Sequence, residues 1–241
     1  MDKRGLSIPL VGGLLSLATP LWAACPAPFE GTTGDGTFYA ADGTGACSYP
    51  ATTDTLIAAL NGGRWDGSAH CGECLEVTGA AGTAIVRVVD QCPDCVNAGD
   101  LDLHPSAFEQ IVGPQIIGRA PIVWQRVECP VTTALSLRVK EGSNPWWIGL
   151  IPDRHRHGVQ GISVLVGGQF QPMVRENYNA FTFSYSVGAG LPLPLTLRLT
   201  STAGEAFNEV LTDLNANTER IGTHQFTACS DGLFFDYFEP R

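Results

Sequence analysis

The 241-residue sequence predicts an all-β chain in two units, a disulfide-stapled, loop-rich first unit followed by a small antiparallel sandwich. Three observations carry this expectation. Seven of the eight cysteines lie between Cys25 and Cys129, and only Cys229 follows them. Beyond Val131-Thr132-Thr133 the chain turns to short runs that alternate apolar and polar residues: Leu135 to Lys140, Ile162 to Val166 and Leu195 to Thr200. Gly and Pro punctuate these runs, as in a β-sandwich. The chain is also longer than one small core requires, so two domains are expected.

Taken in order, the first residues set the compartment. Lys3 and Arg4 precede an apolar stretch from Leu6 to Ala24 that contains Pro9 and Pro20 and ends in small residues. This reads as a secretory signal peptide over residues 1–23. A lipoprotein reading would put the lipid on Cys25, but Trp22 stands where such signals take a small aliphatic residue. No later run approaches the roughly eighteen apolar residues of a membrane span. The mature protein is therefore expected to be secreted, extracellular and free of the membrane.

Every cysteine lies beyond the expected cleavage site, and in an oxidising compartment an even set favours disulfides. Cys71-Gly72-Glu73-Cys74 and the Cys92/Cys95 pair also have the spacing of a structural zinc site. The histidines at 104, 155, 157 and 224 show no ligand spacing tied to them, so no metal and no cofactor is expected. Spacing alone does not define the disulfide connectivity.

The chemistry concentrates in Val89-Asp90-Gln91-Cys92-Pro93-Asp94-Cys95 and Leu101-Asp102-Leu103. The apolar run Ala84 to Val89 delivers Asp90 to the end of a strand, and alternation turns Asp102 away from Leu101 and Leu103. The two acids can line one groove. A second reading makes them structural: Asp90 caps the turn, and Asp102 N-caps the helix suggested by Pro105 to Gln110.

The formal net charge is −10, and removal of residues 1–23 makes it one unit more negative. That sign repels nucleic acid, anionic lipid and polyuronate, whereas a neutral polymer meets no such barrier. Arg154-His155-Arg156-His157 is the one basic cluster, and it reads as a solvated turn.

Gly142-Ser143-Asn144-Pro145-Trp146-Trp147-Ile148 is the second feature with chemical content. Aromatic faces stack on the apolar faces of sugar rings without demanding a charge. Adjacent strand residues point to opposite faces, which argues against a joint platform. Pro145 argues for an irregular strand start or an edge, from which both rings can reach one surface. Tyr178 either joins them from a neighbouring strand or is a core ring with a satisfied hydroxyl.

Together these strings resemble the bacterial expansins. Gly36-Thr37-Phe38-Tyr39 and Gly45-Ala46-Cys47-Ser48-Tyr49 are similar to the family's opening strand and its Gly-Ala-Cys-x-Tyr turn. Cys71 to Val77, Val88-Val89-Asp90, Leu101 to Phe108 and Trp124 to Cys129 follow in the family's order. Lys140 to Ser143, Trp146-Trp147 and Asn177-Tyr178-Asn179 resemble its cellulose-binding segments.

The resemblance implies a six-stranded double-psi β-barrel over residues 24–131 and an immunoglobulin-like carbohydrate-binding β-sandwich over residues 132–241. It implies a polysaccharide groove of Thr37, Tyr39, Asp90 and Asp102, with Asp102 essential for activity, and a platform of Trp146, Trp147 and Tyr178. By the same analogy Cys47 pairs with Cys71 and Cys74 with Cys129. Cys92 with Cys95 is then a local clip, and Cys25 with Cys229 remains.

One departure stands out, because Cys92 replaces the groove tyrosine that many bacterial members carry two residues after the first Asp. The implied activity is non-hydrolytic loosening of plant cell walls by a monomer that binds cellulose and related neutral glucans. Inverting endoglucanases and lytic transglycosylases share the barrel and are the rivals. Inversion needs a base beside the acid. The position where those enzymes carry it falls close to Thr37-Phe38-Tyr39, and neither Asp35 nor Asp42 matches it.

Overall fold

A computed structural model describes residues 31–229. The signal peptide expected over residues 1–23, and Cys25, lie outside the described residues. The first unit is a closed barrel of β1 (Thr32–Phe38), β2 (Ile57–Asn61), β3 (Cys74–Thr78), β4 (Thr83–Cys92), β5 (Leu101–Leu103) and β6 (Ala120–Val127), in the order β1-β5-β2-β4-β3-β6. β1 with β5 and β2 with β4 run parallel, and the other neighbours are antiparallel. This interleaving forces the chain to cross itself closely. Gly34 and Gly99 make the crossing, because a Cβ on either would overlap the backbone opposite.

Leu60, Val86, Val88, Leu101, Leu103 and Trp124 fill the barrel and are all but completely buried. Each aliphatic side chain so placed contributes roughly 1.5–3 kcal/mol. The Trp124 indole donates to Gly99 O at 2.7 Å, so its burial orphans no donor. The helix α1 (Pro105–Ile111) begins at His104, whose Nδ1 accepts from Ser106 N at 3.0 Å, with proline in the first turn. It buries Ala107, Phe108 and Ile111, and the Phe108 ring lies 4.9 Å from that of Phe38.

Disulfides join Cys47 to Cys71, Cys74 to Cys129 and Cys92 to Cys95. They consume both CxxC units, which leaves the zinc reading without thiolate ligands. Cys229 is also disulfide-bonded, and Cys25, the partner expected for it, is outside the described residues.

The second unit packs two antiparallel sheets. One is β10 (Gln169–Pro172), β9 (Val159–Val166), β13 (Leu195–Ser201) and β14 (Ala206–Leu211) in that order. The other is β11 (Val174–Arg175), β12 (Phe181–Ser184), β8 (Trp147–Asp153), β7 (Ser136–Val139) and β15 (Glu219–Ile221). Alternation along β13 decides its faces: Leu195, Leu197 and Leu199 are buried, while Thr196, Arg198 and Thr200 turn outward. They meet Val139, Ile148, Leu150 and Phe181 of the other sheet in one core.

β8 departs from alternation, with Ile148 to Pro152 all buried. The cause is a second contact, since Ile151 and Ala180 pack into the barrel's core rather than the sandwich's. Polar bonds cross the same junction: Tyr49 Oη donates to Pro152 O at 3.2 Å, and Arg87 pairs with Asp153 at 2.7 Å while lying over the Tyr49 ring. The segment Arg154 to His157 belongs here too, which corrects the expectation of a solvated turn. His155 and His157 are 2% and 5% exposed, and Arg156 donates to the carbonyls of Phe226 and Val131. Its charge pattern is that of a surface turn and Arg154 is exposed, but the Arg156 guanidinium and the His157 imidazole tie elements together while His155 is buried.

Candidate functional site

Strand register gathers Thr37, Asp102, Ala59 and Asp90 into one row across four neighbouring strands. Thr37 lies opposite Asp102, Asp102 opposite Ala59, and Ala59 opposite Asp90. Thr37 Oγ1 donates to Asp102 Oδ1 at 2.6 Å, so one side of the Asp102 carboxyl is fixed and the other is open. Ala59 is too short to separate the acids, and the Cys92–Cys95 disulfide and the half-buried Tyr39 cover it. Here the disulfide and Tyr39 together form the apolar wall between two acids. That is how the structure treats the position where Cys92 replaces the tyrosine.

Asp90 reaches this row through a β-bulge. Inward-facing residues alternate along β4 as Ala84, Val86 and Val88, which would send Asp90 into the core. Pairing with β2 shifts between Ala58 and Ala59, so that Val88 and Val89 are both buried and Asp90 emerges on the outer face. Asp90 Oδ1 then accepts from Ala46 N at 2.6 Å and from Gln91 N at 2.8 Å. Gly45 is obligatory there, because it adopts φ +153° and a Cβ would collide with the Asp90 carboxyl. Asp90 is therefore both a member of this row and the cap of the turn. Asp102 is not a helix cap, since His104 takes that role.

The electrostatics separate the groove's members. Burial raises the pKa of Asp102 above the ordinary carboxylate value; the Thr37 bond and Arg119 oppose this, while the charges of Asp90 and Asp94 add to it. Tyr39 is held well above the ordinary phenol range, first by burial and then by the charges of Asp90, Asp102 and Asp42. Its buried hydroxyl makes no hydrogen bond of normal geometry. Asp100, one pleat from Asp102, is 2% exposed. Its burial cost is outweighed by hydrogen bonds from Asp35 N and Asn97 and by Arg119, and it stays ionised below the usual range.

The aromatic residues occupy the second unit beside the junction. Trp146 is 51% exposed and precedes β8, whereas Trp147 is its first residue and partly exposed. Asn144 Oδ1 accepts from the backbone N of both, a side-chain cap added to the Asn144–Trp147 backbone bridge at this strand start. Trp147 lies against Gly149, where a Cβ would come within 3.0 Å of its ring. Neither indole enters a core cluster. The Tyr178 ring packs against the barrel core and lies 5.7 Å below Lys140 Nζ.

The loop carrying Tyr178 is bound to the barrel. Ser48 Oγ donates to Tyr178 O at 2.8 Å, Trp65 Nε1 to Asn177 O at 3.3 Å, Ser68 Oγ to Glu176 O at 2.7 Å, and Asn179 Nδ2 to Cys47 O at 3.1 Å. The turn that Asp90 caps is the same turn that Ser48 uses to hold Tyr178.

Sequence reasoning gives Arg119 and Ser48 no role, and it names Lys140 only as a member of the Leu135 to Lys140 run and the Lys140 to Ser143 segment. Ser48 occupies the variable position of the Gly-Ala-Cys-x-Tyr turn, and Arg119 follows an exposed Ile116-Ile117 turn with no motif around it. Glu128, His157 and Cys229 bring ligand atoms within 4.8 Å of one another. Cys229 is disulfide-bonded, and His157 Nε2 is engaged with Thr227 O, so this trio is not a metal centre.

Comparison with known proteins matches residues 48–125 to the Barwin family. The chain is 35% identical over 158 residues to Expansin-like protein 2 of Dictyostelium discoideum and 34% identical over 136 residues to Expansin-YoaJ of Bacillus subtilis. The matches take in 61% and 55% of this chain, and span 39% and 58% of those relatives' lengths. A crystal structure of a mutant Clavibacter michiganensis expansin in complex with cellohexaose superposes with a TM-score of 0.76 at 30% identity, covering 83% of this chain and 100% of that one. The apo form of that expansin gives the same values.

Proposed function

The chain belongs to the expansin family, and we propose that it is a secreted, monomeric, non-hydrolytic protein that binds cellulose and related neutral glucans and loosens plant cell walls. The observation that carries this reading is the row Thr37, Asp102, Ala59, Asp90, in which the Asp102 carboxyl, its pKa raised, is half-exposed beside Tyr39. The cellohexaose bound by the Clavibacter expansin supports a glucan as the ligand. We place the division between the two working parts at residues 131 and 132, ahead of β7.

Trp146, Trp147 and Tyr178 grip the glucan by ring stacking, each contact contributing about 0.5–1.5 kcal/mol. Three such contacts hold a chain reversibly, and they are far too weak to cut a covalent bond. Asp102, Thr37 and Asp90 exchange hydrogen bonds with the chain's hydroxyls and compete with those it makes to neighbouring polysaccharides. A creep measurement on heat-treated plant wall, run beside a sugar-release assay, tests this. Asp102→Ala should abolish extension and leave cellulose binding intact, and no reducing ends should form with either protein.

One observation favours a second reading. Asp94 is exposed, its charge adds to that of Asp90 at Asp102, and among the described residues it has no hydrogen bond or ion pair, which leaves it available to activate water in an inverting hydrolase. Asp42, Asp90, Asp35 and Asp100 are engaged by Thr44, Ala46, Arg119 and Asn97. Reducing-end release that disappears in both Asp102→Asn and Asp94→Asn would establish hydrolysis instead.

A further inference from the structure

The groove does not end at Thr37. Alternation along β1 puts Asp35 on the same face one pleat period away, about 6.6 Å. Asp100 immediately precedes β5 and holds Asp35 N through its carboxylate. Between Asp35 and Asp100 the surface sinks into a shallow depression of about 310 Å³, lined by Thr33, Gly34, Asp35, Asn97 and Asp100. That size is near the lower bound of small-ligand clefts, about 300 Å³. Gly34 and Gly99, pressed together at the chain crossing, leave no side chain to fill it.

Arg119 borders this depression. Its guanidinium reaches Asp35 Oδ2 at 3.3 Å and Asp100 Oδ2 at 3.5 Å, yet the side chain is 47% exposed. Its charge also acts on Asp102, the row's central acid. The row begins at Asp90, beside the turn that holds Tyr178, and ends at Thr37; the depression lies beyond that far end.

We infer that this depression is a further saccharide subsite, one that takes a neutral sugar residue through a vicinal diol. One hydroxyl donates to the Asp35 carboxylate and its neighbour accepts from the Arg119 guanidinium, while Thr33 and Asn97 serve the ring's remaining polar edge. Two carboxylates already neutralise Arg119, which disfavours a uronate. No aromatic residue lines the depression, so recognition there is by hydrogen bonds and differs in kind from the ring platform.

The inference rests on the proposed glucan binding, and the test separates the two. In NMR titrations of the full chain, cellohexaose should shift the Arg119 Nε–H and Asn97 side-chain amide signals together with the Trp147 indole N–H, whereas cellotriose should shift the indole without them. Arg119→Gln and Asp35→Asn should each weaken cellohexaose binding about fivefold and leave cellotriose binding unchanged. Asp35→Asn keeps the backbone bond to Asp100, so it tests the subsite even if the Arg119 variant folds poorly. An indole shift without any change at Arg119 or Asn97 overturns the subsite alone. No shift at any of the three overturns the subsite and the glucan-binding reading with it.

Discussion

Ser48 and Tyr178, 130 residues apart in sequence, are joined by a 2.8 Å hydrogen bond from the serine hydroxyl to the tyrosine carbonyl. The bond ties an aromatic residue of the second unit to the turn that Asp90 caps two residues earlier. Ser48→Ala should therefore cost about 1 kcal/mol of stability and loosen the Tyr178 loop. Denaturant titration reads the first effect. Cellulose pull-down should show severalfold weaker binding, and unchanged binding would mean that the bond plays no part in placing Tyr178.

Trp147→Ala should reduce cellulose affinity about tenfold while shifting the melting temperature little, because the ring is partly exposed and outside both cores. Depletion isotherms on insoluble cellulose, with a thermal melt as control, check it. A large loss of stability would mark the ring as structural.

Asp102 should behave as a functional group that the fold tolerates at a cost. Its folded pKa is raised, so between the ordinary carboxylate value and the folded one the native state binds more protons than the unfolded state. Stability then falls as pH rises through that window. Asp102→Asn should melt at a higher temperature than the parent at pH 7, and the difference should shrink to nothing at pH 3. A variant that melts lower at pH 7 would mean that its carboxylate is stabilised rather than strained.

His155 predicts the opposite slope. Burial in the junction depresses its pKa to about 4, with Arg87 adding to the effect and Asp153 and Glu73 opposing it. Neither ring nitrogen has a hydrogen-bond partner. The neutral imidazole's stability is complete above about pH 6.5 and is lost as pH falls toward 4, on the order of 2 kcal/mol. Urea denaturation at pH 7 and pH 4.5 should show that slope in the parent chain and a shallower one in His155→Gln.

Gly45→Ala should destabilise the barrel by about 2 kcal/mol or more, since the added methyl meets the Asp90 carboxyl at a positive φ. A circular-dichroism melt reads this directly.

Much of the architecture is legible in the sequence because it follows local rules. Alternation at Leu195, Leu197 and Leu199 specifies a half-buried strand, and the crowding of cysteines before Cys129 marks the stapled unit. The site is less legible. Thr37 meets Asp102 through a parallel pairing that spans 65 residues, and no local pattern encodes such a partner. Arg119 carries no motif, and its significance comes from Asp35 and Asp100 converging on it. Arg154 to His157 misleads because charge predicts exposure, whereas contacts between two domains decide it.

The bulge at Val88 and Val89 has a consequence for variation in this chain. Straightening this bulge at full strand length would rotate a carboxylate from water into hydrocarbon, whereas deleting Val89 would restore strict up-and-down order and leave Asp90 on the outer face. Strand length at that point thus sets a functional group's orientation, and insertions harmless in the loops would there invert which side of the sheet is wet.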